Sequence, residues 1–167
     1  HDPPIQLFPD PDIPALSPAL PSRRARLGTA PFDLSIAVPR GWTRVDVAGN
    51  EATWAVATNP LNTYVLRVEI VISQHETIAA TKAARIRALD SATQDFELES
   101  ETDEGFAATY VKDGYRRLTY HRWVTFDDPD PGQGQGTTYA EIATTGRLPD
   151  RTGLADLLDR VADGATR

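Results

Sequence analysis

Two stretches of apolar residues constrain the fold of this chain most. In the first, Phe32–Val38, large apolar residues alternate with smaller or polar ones, which predicts a β-strand with one buried face. In the second, Tyr64–Ile72, apolar residues occupy both faces, which is typical of an internal strand. Between them, Thr43–Val47 and Glu51–Thr58 predict two further strands. We expect these strands to form one sheet, with Trp42 folding back over its edge.

The sequence after these strands predicts a helix, then further strands and a closing helix. A first helix is expected over Glu76–Leu89, with an apolar stripe and with Lys82, Arg85 and Arg87 toward solvent. Further strands are predicted at 96–99, 106–111, 115–126 and 137–145, and Asp113-Gly114 indicates a tight hairpin. The apolar residues of the closing helix recur at helical spacing, namely Leu154, Leu157, Leu158, Val161 and Ala165. This order predicts class α+β, an antiparallel sheet of six or seven strands packed with two main helices.

The N-terminal residues have a different character. Residues 1–29 hold seven prolines, which disfavour helix and are typical of a semi-rigid spacer. The apolar residues among them lead us to expect that part of this segment lies extended along the domain. We therefore divide the chain into a proline-rich stalk, 1–29, and a single α+β domain, 30–167. Because the sequence begins at His1 and contains no Met, we expect a processed or excised piece whose signal or anchor lies upstream.

Charge and composition exclude several classes of function. The net charge is -7 and the pI is about 4.9, which argues against a nucleic-acid-binding protein with its basic face. No apolar run approaches the length of a membrane span. The absence of Cys removes disulfides, thiolate nucleophiles and Cys-based zinc sites.

Catalytic and cofactor motifs are not found. The glycine-rich run Gly132–Gly136 lacks the Lys-Ser/Thr of a phosphate-binding loop and does not open a helix. Asp128 and Asp130 alternate with prolines and do not match a calcium loop. No nucleophile elbow is present, so the sequence indicates no enzyme, no cofactor and no metal.

One mixed polar and aromatic group is the candidate binding patch. Strand alternation places Arg117, His121 and Trp123 on one face of one strand, Arg67 and Glu69 on one face of another, and Glu141 on the last. If these faces coincide, Arg67, Glu69, Arg117, His121, Trp123 and Glu141 would grip a peptide or a small polar ligand. The alternative is a solvated ladder of ion pairs across the strands. A metal held by His121, Glu69 and Glu141 would require a strand register that the sequence does not show.

The order of elements and the turn Val38-Pro39-Arg40-Gly41-Trp42 resemble the PsbP-like fold. This superfamily includes the photosystem II extrinsic protein PsbP, the Ran-binding Mog proteins and LpqN-type lipoproteins of mycobacteria. The extracytoplasmic domains of proteins associated with type VII secretion in such actinobacteria look similar. The resemblance covers residues 30–167 and implies an α/β/α sandwich that acts as a non-catalytic adaptor, often on the outer side of a membrane.

The leading hypothesis is therefore an accessory, protein-binding domain of the cell envelope, anchored through a segment upstream of His1 and binding an envelope or secretion protein. Two alternatives stay open. One is a small-ligand receptor or enzyme that uses the patch around His121, which an apolar pocket lined by Trp42, Trp54 and Tyr64 would favour as a receptor. The other is a purely structural spacer, whose surface would carry no coherent patch.

Overall fold

The structure, a computed structural model, describes residues 4–59, 63–126 and 137–167. Within these ranges the elements are β1 (Ser22–Thr29), β2 (Phe32–Pro39), β3 (Thr43–Ala48), β4 (Glu51–Ala55), β5 (Val65–Ile70), α1 (Ile78–Ala92), β6 (Gln94–Glu101), β7 (Gly105–Lys112), β8 (Tyr115–Val124), β9 (Ala140–Gly146) and α2 (Arg151–Asp163). Single 3-10 turns precede each helix, at Ile72–Gln74 and Leu148–Asp150. The loop predicted at 127–136, with its glycine-rich and aspartate motifs, lies outside the described residues. No helix in the described ranges is long and apolar enough to cross a membrane.

The central layer is a seven-stranded antiparallel sheet with the strand order β3-β4-β5-β9-β8-β7-β6. The predicted α+β class, with six or seven strands and two main helices, is confirmed. The expectation that Phe32–Val38 belongs to this sheet is wrong. That strand is β2, and it pairs along its whole length with β1 in a separate two-stranded sheet. The reason is that the buried side of β2, with Leu34, Ile36 and Val38, packs onto the face of the large sheet.

The two faces of the large sheet are covered differently. The core face carries Leu66, Val68 and Ile142, and it is covered by α2 and the β1–β2 pair. The predicted stripe of α2 is confirmed, since its leucines and valine lie in this core. The opposite face, which we call the α1 face, is covered in part by α1. No residue of α1 is fully buried, and a small apolar cluster holds the helix against the sheet.

The N-terminal segment is more integrated than a stalk. Residues 22–29, assigned to the linker from the sequence, form β1, and Ala25 and Leu27 are buried. This correction follows from the chain itself, because the prolines end at Pro21 and the next residues alternate. Farther upstream, Leu16 is 6% exposed and its backbone N–H donates to Asp150 Oδ1 at 2.8 Å. The expectation that part of this segment lies along the domain is confirmed.

Local signals at the turns agree with the sequence. Asp113 and Gly114 adopt φ values of 54° and 86° between β7 and β8, as a tight hairpin requires. Gly41 has φ 82° in the turn after β2, and the ring of Trp42 then stacks on Tyr64 at 5.9 Å. The Thr77 side chain caps α1 by accepting from the N–H of Ala80 at 3.2 Å.

Candidate functional site

The strand registers bring most of the predicted patch together on the α1 face. Glu69 of β5 and Trp123 of β8 both lie opposite Glu141 of β9, one on each side of it. Arg67 and His121 flank the next same-face position of β9 in the same way. Alternation along each strand predicted the shared face, and the registers add the lateral order β5, β9, β8. These residues therefore form one contiguous group.

Arg117 lies outside this group. Its guanidinium pairs with the carboxylate of Asp10 at 2.9 Å and lies 5.2 Å from the ring centre of Tyr115. Both partners are at the opposite end of β8 from Trp123. Arg117 therefore shares the predicted face with His121, but its side chain contacts the N-terminal segment instead of the group around Glu141. Its part in binding stays a prediction.

Glu141 is the hub of the remaining residues. Its Oε2 accepts from His121 Nδ1 at 2.9 Å and from Arg85 Nε at 2.9 Å, while its Oε1 accepts from Arg85 Nη2 at 2.8 Å. Arg67 Nη2 also contacts Oε1 at 2.9 Å. We call Glu141, Arg67, Arg85 and His121 the Glu141 cluster. It joins three strands of the sheet to α1 through one carboxylate.

Two further carboxylates border the cluster. Arg67 Nη1 lies 3.6 Å from Glu69 and 3.7 Å from Glu51. Burial raises the pKa of the Glu69 carboxyl, and the nearby Glu51 charge adds to this despite the opposing effect of Arg67. Both carboxylates are partly exposed, so they form the solvent side of the cluster.

Arg85 is the functional side chain that the sequence reasoning missed. It was predicted to face solvent, but its bidentate contact with Glu141 places it against the sheet. A signal was available, because Arg85 follows Ile78 by seven residues and precedes Leu89 by four, which is one helical face. Lys82 lies on the same face, and its ammonium donates to the carbonyl of Thr102 at 2.5 Å.

An aromatic group flanks the cluster on its β7 side. The imidazole of His121 stacks on the ring of Phe106 at 4.8 Å with an interplanar angle of 5°. Trp123 lies 6.0 Å from Phe106 and packs in the apolar cluster beneath Ile78, Ile86 and Leu89 of α1. Trp123 is 1% exposed, so its ring is a core side chain of this face and not a free stacking surface.

The electrostatics fix the protonation states within the cluster. Burial lowers the pKa of His121, an effect that outweighs the hydrogen bond to Glu141, so the ring is neutral at pH 7. Burial by itself would raise the pKa of Glu141, but the hydrogen bond with His121 and the charge of Arg67 hold it well below its ordinary range. A neutral His121 that donates through Nδ1–H to an ionised Glu141 satisfies both groups.

The sequence suggested an exposed binding patch, but most of its residues are buried in the structure. Arg117, His121, Trp123 and Glu141 are all less than 10% exposed, because α1 and the N-terminal segment cover them. Binding by these six residues stays a prediction, but it would require α1 to move. The described residues contain no group of three or more His, Cys, Asp or Glu side chains able to hold a metal.

The end of the sheet near Trp42 also differs from a ligand pocket. Trp42 and Trp54 are 7% and 0% exposed and belong to the main core, where Tyr64 packs against them. Arg44 lies 5.3 Å from the ring centre of Trp54. These aromatic side chains fill the end of the core themselves.

Comparison with known proteins identifies the fold. No protein-family model matches the sequence, and no curated protein sequence matches it. Among solved structures, LpqN of Mycobacterium tuberculosis, described as involved in cell envelope biogenesis, is similar with a TM-score of 0.51 and 12% identity over 87% of this chain and 90% of that one. Cyanobacterial PsbP (CyanoP) from Synechocystis aligns over 96% of this chain and 98% of its own, at a TM-score of 0.47 and 14% identity. The similarity to LpqN shows that the chain has this fold, which is the one that the sequence resemblance predicted.

Proposed function

We propose that this chain is a non-catalytic accessory domain of the cell envelope that binds a protein partner outside the cytoplasm. In this proposal, a segment outside the present sequence anchors it, and the partner is an envelope or secretion-machinery protein. The non-catalytic part of the proposal rests on one observation, namely that the polar groups of the Glu141 cluster bind one another. Its histidine and its carboxylate are committed to each other and to two arginines.

Acid–base catalysis needs a group that reaches the substrate and is poised to exchange a proton near neutral pH. The pKa of Glu141 lies far below that range, and the pKa of His121 is lowered by burial, so neither is poised as a base. The ring of His121 is 5% exposed, and the ring of Phe106 stacks on it. These features support a structural role for the cluster.

The envelope location is supported by the fold shared with LpqN, whose description places it in cell envelope biogenesis.

Capture of the partner tests this proposal. The tagged chain is bound to a resin, incubated with a detergent-solubilised envelope fraction, cross-linked and analysed by mass spectrometry. A matched control is the same chain with Leu154→Asp, which places a charge in the core that covers the sheet and removes the folded surface. We expect a small set of envelope proteins that bind the folded chain and not the control.

Two outcomes would contradict the proposal. Identical captured proteins with both chains would favour a spacer without a binding surface. A turnover found in a hydrolase or lyase screen that is lost in His121→Gln, with the melting temperature preserved, would instead favour the enzyme alternative.

A further inference from the structure

A groove of about 600 Å³ lies on the core face, between α2 and the β6–β7 hairpin. This volume is within the range of ligand-binding clefts in proteins, roughly 300–1,000 Å³. It opens there because α2 packs on β8 and β9 and leaves the β7 side of this face uncovered. It adjoins the Glu141 cluster, since His121 and Phe106 also line it. Its floor and walls include Ser100, Gly105, Ala107, Tyr120, Ala155 and Leu158.

The groove exists because the facing side chains are small. Ala107 and Ser100 are paired across the hairpin and line the groove on one side, and Ala155 lines it from the helix. Gly105 is required by the backbone itself, since a Cβ there would lie 2.1 Å from the carbonyl oxygen of His121. The strand pairing therefore keeps this part of the floor free of side chains.

Polar contacts fix the width of the groove. Toward the start of α2, Arg151 makes two hydrogen bonds of 2.8 Å to the carboxylate of Glu99 on β6. Toward the end of α2, Arg122 of β8 contacts Asp163 at 3.0 Å and Asp159 at 3.3 Å. The helix is thus held to the sheet at both ends while the space between remains open, so the cleft is a built feature.

The open rim is acidic. Asp103, Glu104 and Asp159 line the groove, and Asp163 stands beside them. The guanidinium of Arg122 lies among these four carboxylates and is 3.4 Å from that of Glu104. Each of Glu104, Asp159 and Asp163 contacts Arg122, but their side chains are 59%, 65% and 66% exposed, so an incoming cation can still reach their carboxylates from solvent. On the far side of the hairpin, Lys82 is paired with Glu101.

We propose that this groove binds a segment of a partner protein in which a Lys or Arg side chain is flanked by small apolar residues. The basic head would meet the carboxylates of Asp103 and Glu104, and the apolar residues would lie along Ala107, Ala155 and Leu158. Charge complementarity selects this occupant, because an acidic or phosphate-bearing ligand would be repelled by the rim. The inference rests on the proposed function and names the surface and the chemistry of its partner.

A direct binding measurement tests it on the whole chain. The probe is a fluorescent peptide that alternates lysine with alanine, and the matched probe carries glutamate in place of lysine. We expect the lysine peptide to bind, to weaken with added salt, and to shift the amide NMR signals of Gly105, Ala107 and Leu158. Free spermidine should compete only weakly, because it lacks the apolar part.

Matched variants separate the groove from the general negative charge of the chain. Asp103→Asn with Glu104→Gln should weaken the lysine peptide by about three- to ten-fold. Asp90→Asn with Glu97→Gln, which removes the same charge from exposed positions elsewhere, should change it by less than about two-fold. Ala155→Phe should block the groove, while Ala84→Phe on the exposed side of α1 serves as its control.

Equal loss in both charge variants, equal competition by spermidine, or amide shifts confined to other surfaces would overturn the inference. These results do not depend on whether the native chain captures an envelope protein. Capture that is unaffected by Ala155→Phe would leave the proposed function standing and reject this groove as its binding surface.

Discussion

Replacing Glu141 by Gln is the sharpest test of the buried charge cluster. Gln keeps the size of the side chain and one carbonyl oxygen, but it removes the negative charge that faces Arg67, Arg85 and His121. The Glu141 side chain is 2% exposed, whereas those of Arg67 and Arg85 are 22% and 33% exposed. The substitution therefore leaves two half-buried cations without their shared counter-ion.

The magnitude follows from burial. Removing one partner of a fully buried ion pair costs about 3–5 kcal/mol, since the other charge is left uncompensated. Here both arginines reach solvent in part, and Glu51 and Glu69 remain near Arg67, so the penalty is reduced. We expect Glu141→Gln to lower the free energy of unfolding by about 2–4 kcal/mol, a large share of the roughly 5–15 kcal/mol typical of a domain.

Urea unfolding at pH 7, followed by tryptophan fluorescence and circular dichroism, measures this change. The matched control is Glu51→Gln, which removes the same charge from the solvent side of the cluster, and it should cost less than about 1 kcal/mol. If Glu141→Gln costs no more than Glu51→Gln at an unchanged m-value, the negative charge of Glu141 does not stabilise the two arginines in the folded state.

Three further predictions concern other parts of the molecule. Leu16→Ala should destabilise by about 2–4 kcal/mol in urea melts because Leu16 packs in the core, whereas Leu7→Ala should change little, and equal effects would mean that the N-terminal segment is only a tether. Leu154→Ala should lower the free energy of unfolding by about 2–5 kcal/mol, whereas Leu148→Ala, at a side chain that is 44% exposed, should lower it by less than about 0.5 kcal/mol. An equally small loss for Leu154→Ala would reject the packing of α2. Burial lowers the pKa of His121 below its ordinary 6.5, so the unfolded chain takes up the proton first and stability falls as the pH drops below 6.5. His121→Gln should flatten the dependence of stability on pH between about 5 and 7, and an unchanged slope in that variant would contradict this assignment.

Much of the fold was accessible from the sequence because its signals are local. The hairpin at Asp113-Gly114 depends on two residues that tolerate positive φ, and the structure has them in that conformation. The stripe of α2 requires only helical spacing of leucines, and it is buried as expected. In both cases, the pattern and the structure that it predicts span a few consecutive residues.

The division of the strands between two sheets could not be predicted from such local patterns. β2 alternates as any half-buried strand does, and alternation does not reveal which sheet lies across from it. Nor did the prolines before Ser22 indicate that the following residues pair with β2, since that pairing depends on a partner farther along the chain. The proline-rich composition pointed to a linker, while the burial of Leu16 depends on Asp150 and on α2.

The candidate site shows the same limit. Alternation placed Arg67, His121 and Glu141 on one face, and the registers agree, but alternation alone did not show that α1 covers that face. A cluster of charges and aromatic residues on a strand predicts binding when it is exposed and internal structure when it is covered. Arg85 decides between the two here, because its side chain closes the cluster from above.

The two faces of the sheet are stabilised by different forces, and this bears on where a partner can bind. The core face is held by burial of leucine, valine and tryptophan side chains. In contrast, α1 has no fully buried residue and is held by a small apolar cluster together with the polar contacts of Arg85 and Lys82. A charged contact of this kind gains little net stability after desolvation, but it accepts only partners of matching geometry. The Glu141 cluster would thus fix the position of α1 and the lateral order of the strands. Its charged groups are paired with one another and are not free to bind a partner. Chemistry that remains open to a partner must come from exposed charges next to apolar surface. The acidic rim of the groove beside α2 combines these two properties.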